Sequence, residues 1–220
     1  MNAISPWRVA SHEGAFTTSQ VGRLVGRDAS EIARWTKGAS PLISSDYEPL
    51  EGRIVLSFDA LIEARLVSHM LRQGVSIRTL REVSRRLKST SGVAHPFALD
   101  RKIVSEGFRL FEQEGDRLVN LANDCYAEPD LMRPVLQGKV VFDRGRASHY
   151  IPYPAELPHV RIDPRVAFGR PVVVANRRAV PTEKLAVVAR TEGLVAAADW
   201  YGVPEGDVEQ ALAFEARLAA

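Results

Sequence analysis

Between Asp163 and Thr182 the chain carries a run of punctuation that leaves the backbone few choices. It reads Asp163-Pro164, then Phe168-Gly169-Arg170-Pro171, the apolar run Val172-Val173-Val174, the polar tip Asn176-Arg177-Arg178, and finally Pro181-Thr182. A short apolar run closed by Asn-Arg-Arg predicts a hairpin. Pro-Thr directly behind it predicts a helix start, because proline in a first helical turn lacks only an amide that would go unpaired anyway. Three short helices are expected next: Leu185 to Arg190, stopped at Gly193; Leu194 to Tyr201, stopped at Gly202; and Glu205 to Leu218. Both glycines stand where helices end. The apolar face of these helices holds Leu185, Val188, Leu194, Trp200, Leu212, Phe214 and Leu218. Most of it must be the core of a small domain, which leaves Trp200 or Tyr201 to anchor a partner.

This hairpin followed by three helices resembles the small trihelical domain called domain of unknown function 433, over roughly the last quarter of the chain. Members of that family carry a Gly-x-Pro-Val/Ile strand and a Pro-Thr helix start, and many resemble antitoxins encoded beside a toxin with a PIN-type nuclease fold. The resemblance implies that Arg170, Arg177, Arg178, Lys184 and Trp200 meet a protein partner. Arginines over the metal-site carboxylates of a PIN nuclease would form bidentate pairs and displace the metal. The same cations can also serve nucleic-acid phosphate, or pair internally with Glu205, Asp207 and Glu209.

At the other end, Phe16-Thr17-Thr18-Ser19-Gln20 predicts a helix start capped by Thr17 or Thr18, with Val21, Leu24 and Val25 on one face and Gly26 as its stop. Asp28-Ala29-Ser30-Glu31 then reads as a capping box, followed by Ile32 and Trp35 facing inward. Two short helices around a glycine turn make a helix-turn-helix unit whose second helix presents Ser30, Glu31, Arg34 and Lys37 outward. An exposed arginine on such a helix can fork onto guanine, while Ser or Lys meets phosphate. Leu42-Ile43 and Arg53-Ile54-Val55-Leu56, separated by a polar break, predict the two strands of a wing. Ser57 and Asp59 cap a longer helix bearing Leu61, Ile62, Leu66, Met70 and Leu71. Ser76 opens another with Ile77, Leu80, Val83 and Leu87 inside and Arg78, Arg81, Arg85, Arg86 and Lys88 outside.

Residues 16–88 look like the DNA-binding domain of the MerR regulators, on the opening Phe16 to Val21, Ile32-Ala33-Arg34-Trp35, and the run from Leu66 through Gly74-Val75-Ser76-Ile77 to Leu87. In that family the second helix reads the major groove and the wing follows the phosphates. The resemblance therefore implies DNA contacts at Thr18, Ser30, Arg34, Lys37 and Arg53. The long helix that pairs MerR subunits is missing after Leu87, and no cysteine set for metal sensing exists.

Between these ends, residues 89–96 are Ser/Thr/Gly/Pro-rich and read as a linker. Short strands are expected at Ile103-Val104, Arg109-Leu110-Phe111, Leu118 to Leu121 and Val140-Val141-Phe142, with Glu114-Gly115-Asp116 as a hairpin turn. A brief helical turn fits between Glu128 and Gln137, limited by Pro134. Tyr150 to Pro158 should run extended without helix, because it holds three prolines. The expected fold is thus α+β and mostly helical: a winged helix-turn-helix over 1–90, a small central β-sheet over 91–158, and over 159–220 a trihelical domain preceded by a β-hairpin.

Charge follows the same division. Residues 1–90 hold 13 Lys/Arg against 9 Asp/Glu and 161–190 hold 7 against 2, whereas 191–220 hold 1 against 6, a pattern that suits separate faces for separate partners. No stretch approaches the roughly 18 apolar residues of a membrane span, and the first 15 residues lack a signal layout. A single cysteine, Cys125, points to a reducing cytoplasm and builds neither a disulfide nor a metal site. Phosphate-loop, His-Glu-x-x-His and Gly-x-Ser-x-Gly signatures are lacking, the five histidines share no spacing, and Asp143 and Asp163 each sit beside a turn or proline. No catalytic residue, metal or cofactor is expected.

These features lead to a cytoplasmic, dimeric antitoxin of a type II toxin-antitoxin pair, of the VapB type, which binds operator DNA as a repressor and blocks a PIN-type ribonuclease toxin. A stand-alone MerR-like regulator with a small ligand between Phe108 and Phe142, and an interaction scaffold with Arg34 and Lys37 tied up in internal ion pairs, are the alternatives.

Overall fold

The structure, a computed structural model, describes residues 14–99 and 140–219, together with the strand backbones of the stretch between them. The chain divides into two compact units, residues 16–137 with 142–147, and residues 1–15 with 138–141 and 148–220. The fold is α+β.

The first unit opens with strand β1 (Phe16–Thr17), helix α1 (Thr18–Val25) and helix α2 (Ala29–Trp35), then strand β2 (Val55–Leu56), helix α3 (Phe58–Arg72) and helix α4 (Ile77–Ser91). Thr17 caps α1 in a full capping box. Its hydroxyl accepts from the Gln20 amide at 3.2 Å, while the Gln20 side chain accepts from the Thr17 amide at 2.8 Å. Gly26 ends α1 in the left-handed conformation. The packing of α1 on the turn also depends on Gly22, where a Cβ would lie 2.5 Å from the Arg27 carbonyl oxygen. Arg27 and Arg72 then tie the turn to α3, through the Ser68 hydroxyl and the carbonyls of Ser68 and Val25. Asp28 sits at the start of α2 but makes no side-chain cap, so the box expected there is not formed; Glu31 instead meets Arg27.

The expected wing takes a different form. Leu42 and Ile43 are not a strand but two consecutive core residues, 1% and 0% exposed, and consecutive burial is incompatible with the alternation of a half-exposed strand. Ile43 donates its amide to the Trp35 carbonyl at the end of α2. Val55–Leu56 finds its partner in Phe16–Thr17, pairing Phe16 with Leu56 and Thr17 with Val55. Between them Leu50 and Arg53 exchange both backbone hydrogen bonds around Glu51 and Gly52, which have positive φ of 51° and 74°. The stretch read as a linker is also folded in part. Helix α4 runs to Ser91 and is closed by Gly92, and His95 through Ala98 are buried around a short 3-10 turn.

Five strands follow in a sheet ordered β6-β5-β4-β3-β7: β3 (Ile103–Glu106), β4 (Arg109–Glu114), β5 (Arg117–Asn120), β6 (Tyr126–Ala127) and β7 (Arg133–Pro134). The pairing of Glu114 with Arg117 fits the hairpin expected at that turn. Pro134 lies in an edge strand, where its missing amide costs least, rather than in a helical turn; the remainder of 128–137 lies outside the described residues.

The second unit contributes to a five-stranded antiparallel sheet ordered β12-β11-β10-β9-β8, from β8 (Val140–Asp143), β9 (Arg146–Tyr150), β10 (Val160–Ile162), β11 (Pro171–Ala175) and β12 (Arg178–Pro181). Helices α5 (Thr182–Glu192), α6 (Leu194–Tyr201) and α7 (Glu205–Ala219) follow. The hairpin and all three helices stand where the punctuation places them, and residues 151–159 contain no helix. Asn176 and Arg177 form the hairpin turn with φ of 47° and 61°, and β11 pairs with β12 from Val172↔Pro181 to Ala175↔Arg178. Leu185, Ala197, Val208, Ala211 and Phe214 are fully buried among the helices, with Val160, Ile162, Val172 and Val173 from the strands.

Candidate nucleic-acid and partner interfaces

In the first unit, the arrangement of α2 separates two sets of side chains. Ile32 and Trp35 are 0% and 3% exposed, while Ser30 and Arg34, four residues apart on one face, stand in solvent. Lys37 is exposed two residues beyond the helix, and Arg53 is exposed at the tight turn. Thr18 is half-buried in the first turn of α1. Among the described residues no carboxylate pairs with Arg34, Lys37 or Arg53. The backbone of Arg34 is engaged, its carbonyl accepting from Arg81 at 3.4 Å, so the basic face of α4 borders the end of α2. Lys88 points elsewhere. Its ammonium donates to the carbonyls of Pro41 and Leu42 and to Ser44 Oγ, and burial, over the attraction of Glu63 and Asp46, holds its pKa below the ordinary lysine value.

A group that spacing gave no reason to single out lies behind this surface. His95 is 5% exposed, with Nδ1 2.8 Å from Glu63 Oε2 and Nε2 2.8 Å from both oxygens of Asp46. Glu63 is wholly buried and also accepts the Phe97 amide at 3.3 Å. Burial would lower the His95 pKa, yet the hydrogen bonds and charges of Asp46 and Glu63 push it up to about 9. Burial raises Glu63 against the pull of His95. At Asp46 burial is outweighed by His95, with help from Ser57 and Lys88, and its pKa is lowered. No signal in the sequence marks this set, because its members lie 17, 32 and 49 positions apart on separate elements.

In the second unit the expected partner-binding cations fall at two ends of one hairpin. Arg177 and Arg178 are at the tip; Arg170 precedes β11 and Lys184 lies in the first turn of α5 after β12, so both lie at the base, beyond the Val172↔Pro181 pair. Arg178 donates to the Tyr201 carbonyl at 2.8 Å and lies so close to Gly202 that a Cβ there would meet its guanidinium. This contact ties the tip to the end of α6, where Trp200 is 67% exposed. Arg170, Arg177 and Lys184 are exposed and meet no carboxylate among the described residues. The internal pairing with Glu205, Asp207 and Glu209 is not formed: Asp207 is buried and bonded to His159 and Gln210 instead. At the base an unforeseen aromatic, Phe168, is 55% exposed beside Arg170, in a left-handed run from Ala167 to Gly169 with φ of 49°, 58° and 81°. Asp163 is bonded by Arg165 in a bidentate pair at 3.0 Å, which outweighs burial and lowers its pKa.

No group of three or more metal-ligating side chains occurs among the described residues, and none of their helices is long and apolar enough to cross a membrane. No protein-family model and no curated protein sequence matches this chain. Among solved structures it is similar to the crystal structure of Rv2018 from Mycobacterium tuberculosis, with a TM-score of 0.63 and 19% identity, over 90% of this chain and 96% of that one. At that identity the likeness shows a shared fold and nothing further.

Proposed function

We propose that this chain is an antitoxin of a type II toxin-antitoxin pair. Its first unit binds operator DNA and represses its own operon, and its second unit binds and blocks a PIN-type ribonuclease. The observation that carries the DNA half is the pair Arg34 and Lys37: both are exposed, and neither has a carboxylate partner among the described residues. Helix α2 would enter the major groove with Arg34 and Ser30 toward base edges, and Lys37, Arg53 and Thr18 would meet phosphate. The free arginines also speak against the scaffold alternative, in which these cations would be tied up internally. For the partner half, the hairpin tip offers the exposed cation Arg177 and the end of α6 offers exposed Trp200, two residue types enriched where binding energy concentrates at protein interfaces. Arg170, Lys184 and Phe168 offer a second such set. Arg178 contributes by holding the tip in place. The protein would act as a homodimer, since helix-turn-helix operators are usually two-fold symmetric.

The test is a salt-dependent titration of the full chain on the DNA upstream of its gene, with co-purification of the neighbouring gene product in parallel. Arg34→Ala should weaken specific DNA binding and keep the partner, while Arg177→Ala should do the reverse. Absence of wild-type DNA binding at low salt removes the repressor half. Co-purification of no nuclease removes the antitoxin half.

A further inference from the structure

We infer that His95 is a positioning residue for the DNA-contacting loop: it clamps Asp46, at the foot of the turn presenting Arg53, onto Glu63 in the buried face of α3. This rests on the proposed DNA-binding role of the first unit. Both ring nitrogens face carboxylate oxygens, at 2.8 Å on each side. With both carboxylates ionised they only accept hydrogen bonds, and the imidazole that satisfies both carries both protons. The clamp is therefore a cation held between two anions, and it joins the loop, α3 and the turn after α4.

The charged groups facing His95 are Glu63 from α3, Asp46 from the loop and Lys88 from α4, with the Ser57 hydroxyl at Asp46 and the Phe97 amide at Glu63. Two cations thus balance two carboxylates. Lys88 adds its own ties to residues 41, 42 and 44, so both cations that hold this loop come from α4 or just after it. Residues 48 to 53 are exposed, and their internal order is the Leu50–Arg53 turn. The Ser45 hydroxyl lies 3.0 Å from the carbonyls of Tyr47 and Val55, which places the clamped residue next to the strand that follows the turn. A buried ion cluster of this kind stabilises little compared with apolar packing of the same volume, whereas it fixes geometry sharply. Its position behind Arg53 suits that use. The pKa of His95 near 9 keeps the clamp closed at neutral pH and opens it in alkali.

The experiment uses the full chain and two readouts, amide exchange of residues 44–53 corrected for the intrinsic rate and affinity for upstream DNA, for the wild type and Asp46→Asn at pH 7.5 and 9.5. Asp46 lies at the surface, so the variant should fold; exchange in α1, α3 and α5 monitors that. At pH 7.5 the variant should exchange at least tenfold faster in 44–53 alone and bind DNA about tenfold more weakly. Raising the pH should reproduce both changes in the wild type and neither in the variant. Unchanged exchange in 44–53, or faster exchange throughout the first unit, overturns the clamp. A loosened loop with unchanged DNA affinity overturns its positioning role. A loosened loop in a protein whose wild type binds no DNA overturns the operator reading and leaves the clamp standing.

Discussion

In the first unit the exposed loop around Arg53 is held from behind by buried charge, His95 and Lys88 against Glu63 and Asp46, contributed from far along the chain. In the second, the exposed tip around Arg177 is held by hydrogen bonds from Arg178 to the Tyr201 carbonyl and from Asn176 to the Gly202 carbonyl at the end of α6, and by the missing side chain of Gly202. Both devices display an arginine. One depends on the protonation of a histidine, the other on backbone carbonyls that do not titrate, and the two should fail under different insults.

The largest effect should come from His95→Ala. It leaves Glu63 buried without its counter-charge, and breaking a buried ion pair costs about 3–5 kcal/mol. Chemical unfolding would measure it, and a cost under about 1 kcal/mol would mean that the cluster is dispensable. The pH dependence has a defined sign. The folded pKa of about 9 exceeds the ordinary histidine value of 6.5, so the stabilisation is complete below pH 6.5 and lost as the pH rises through about 9. An alkaline unfolding series should therefore show a decline in the wild type that is missing from His95→Ala.

Next in size is Gly22→Ala. The new methyl would press on the Arg27 carbonyl, which is backbone and cannot swing aside, and overpacking of this kind costs about 1–3 kcal/mol. Gly202→Ala should cost about 1 kcal/mol, since its φ of 64° disfavours a side chain and the obstructing atom belongs to the flexible end of Arg178. Thermal scans of both variants rank backbone against side-chain obstruction. A Gly202→Ala cost above that of Gly22→Ala would show that the Arg178 contact is less yielding than its geometry implies.

The same contrast explains which parts of the fold the sequence made legible. The hairpin, the turn at Asn176-Arg177 and the ends of α5 and α6 are set by residues within a few positions of one another, and Pro181, Gly193 and Gly202 mark them. Thr17, Ser57 and Ser76 likewise announce helices that do begin there. The wing was misread because Leu42-Ile43 has strand composition, while tertiary burial on both faces made it a core segment. Strands β9 and β10 escaped notice, one being Arg-Ala-Ser-His-Tyr without apolar alternation and the other three residues long. Of the candidate sites, Arg34 was legible as an outward position of an amphipathic helix, while Lys37, expected on the same helix, is exposed just past its end. His95 was not legible, because its partners are distant in sequence and its own surroundings read as a linker.

The smallest expected effect on stability belongs to Arg34→Ala, and for that reason it is the sharpest probe of what the first unit displays. The guanidinium is exposed and pairs with no carboxylate among the described residues, and the contact made by Arg81 goes to the backbone carbonyl, which alanine retains. Alanine also favours the helix at least as well as arginine does. The unfolding midpoint should therefore stay where it is, and the clamp should keep its pH dependence, since His95 and its partners are untouched. Affinity for upstream DNA should fall by roughly 1–3 kcal/mol through loss of a base-edge contact, with the salt slope nearly preserved, because Lys37 and Arg53 still meet phosphate. A lower midpoint with unchanged DNA affinity would mean that the free arginine serves the fold of α2 after all.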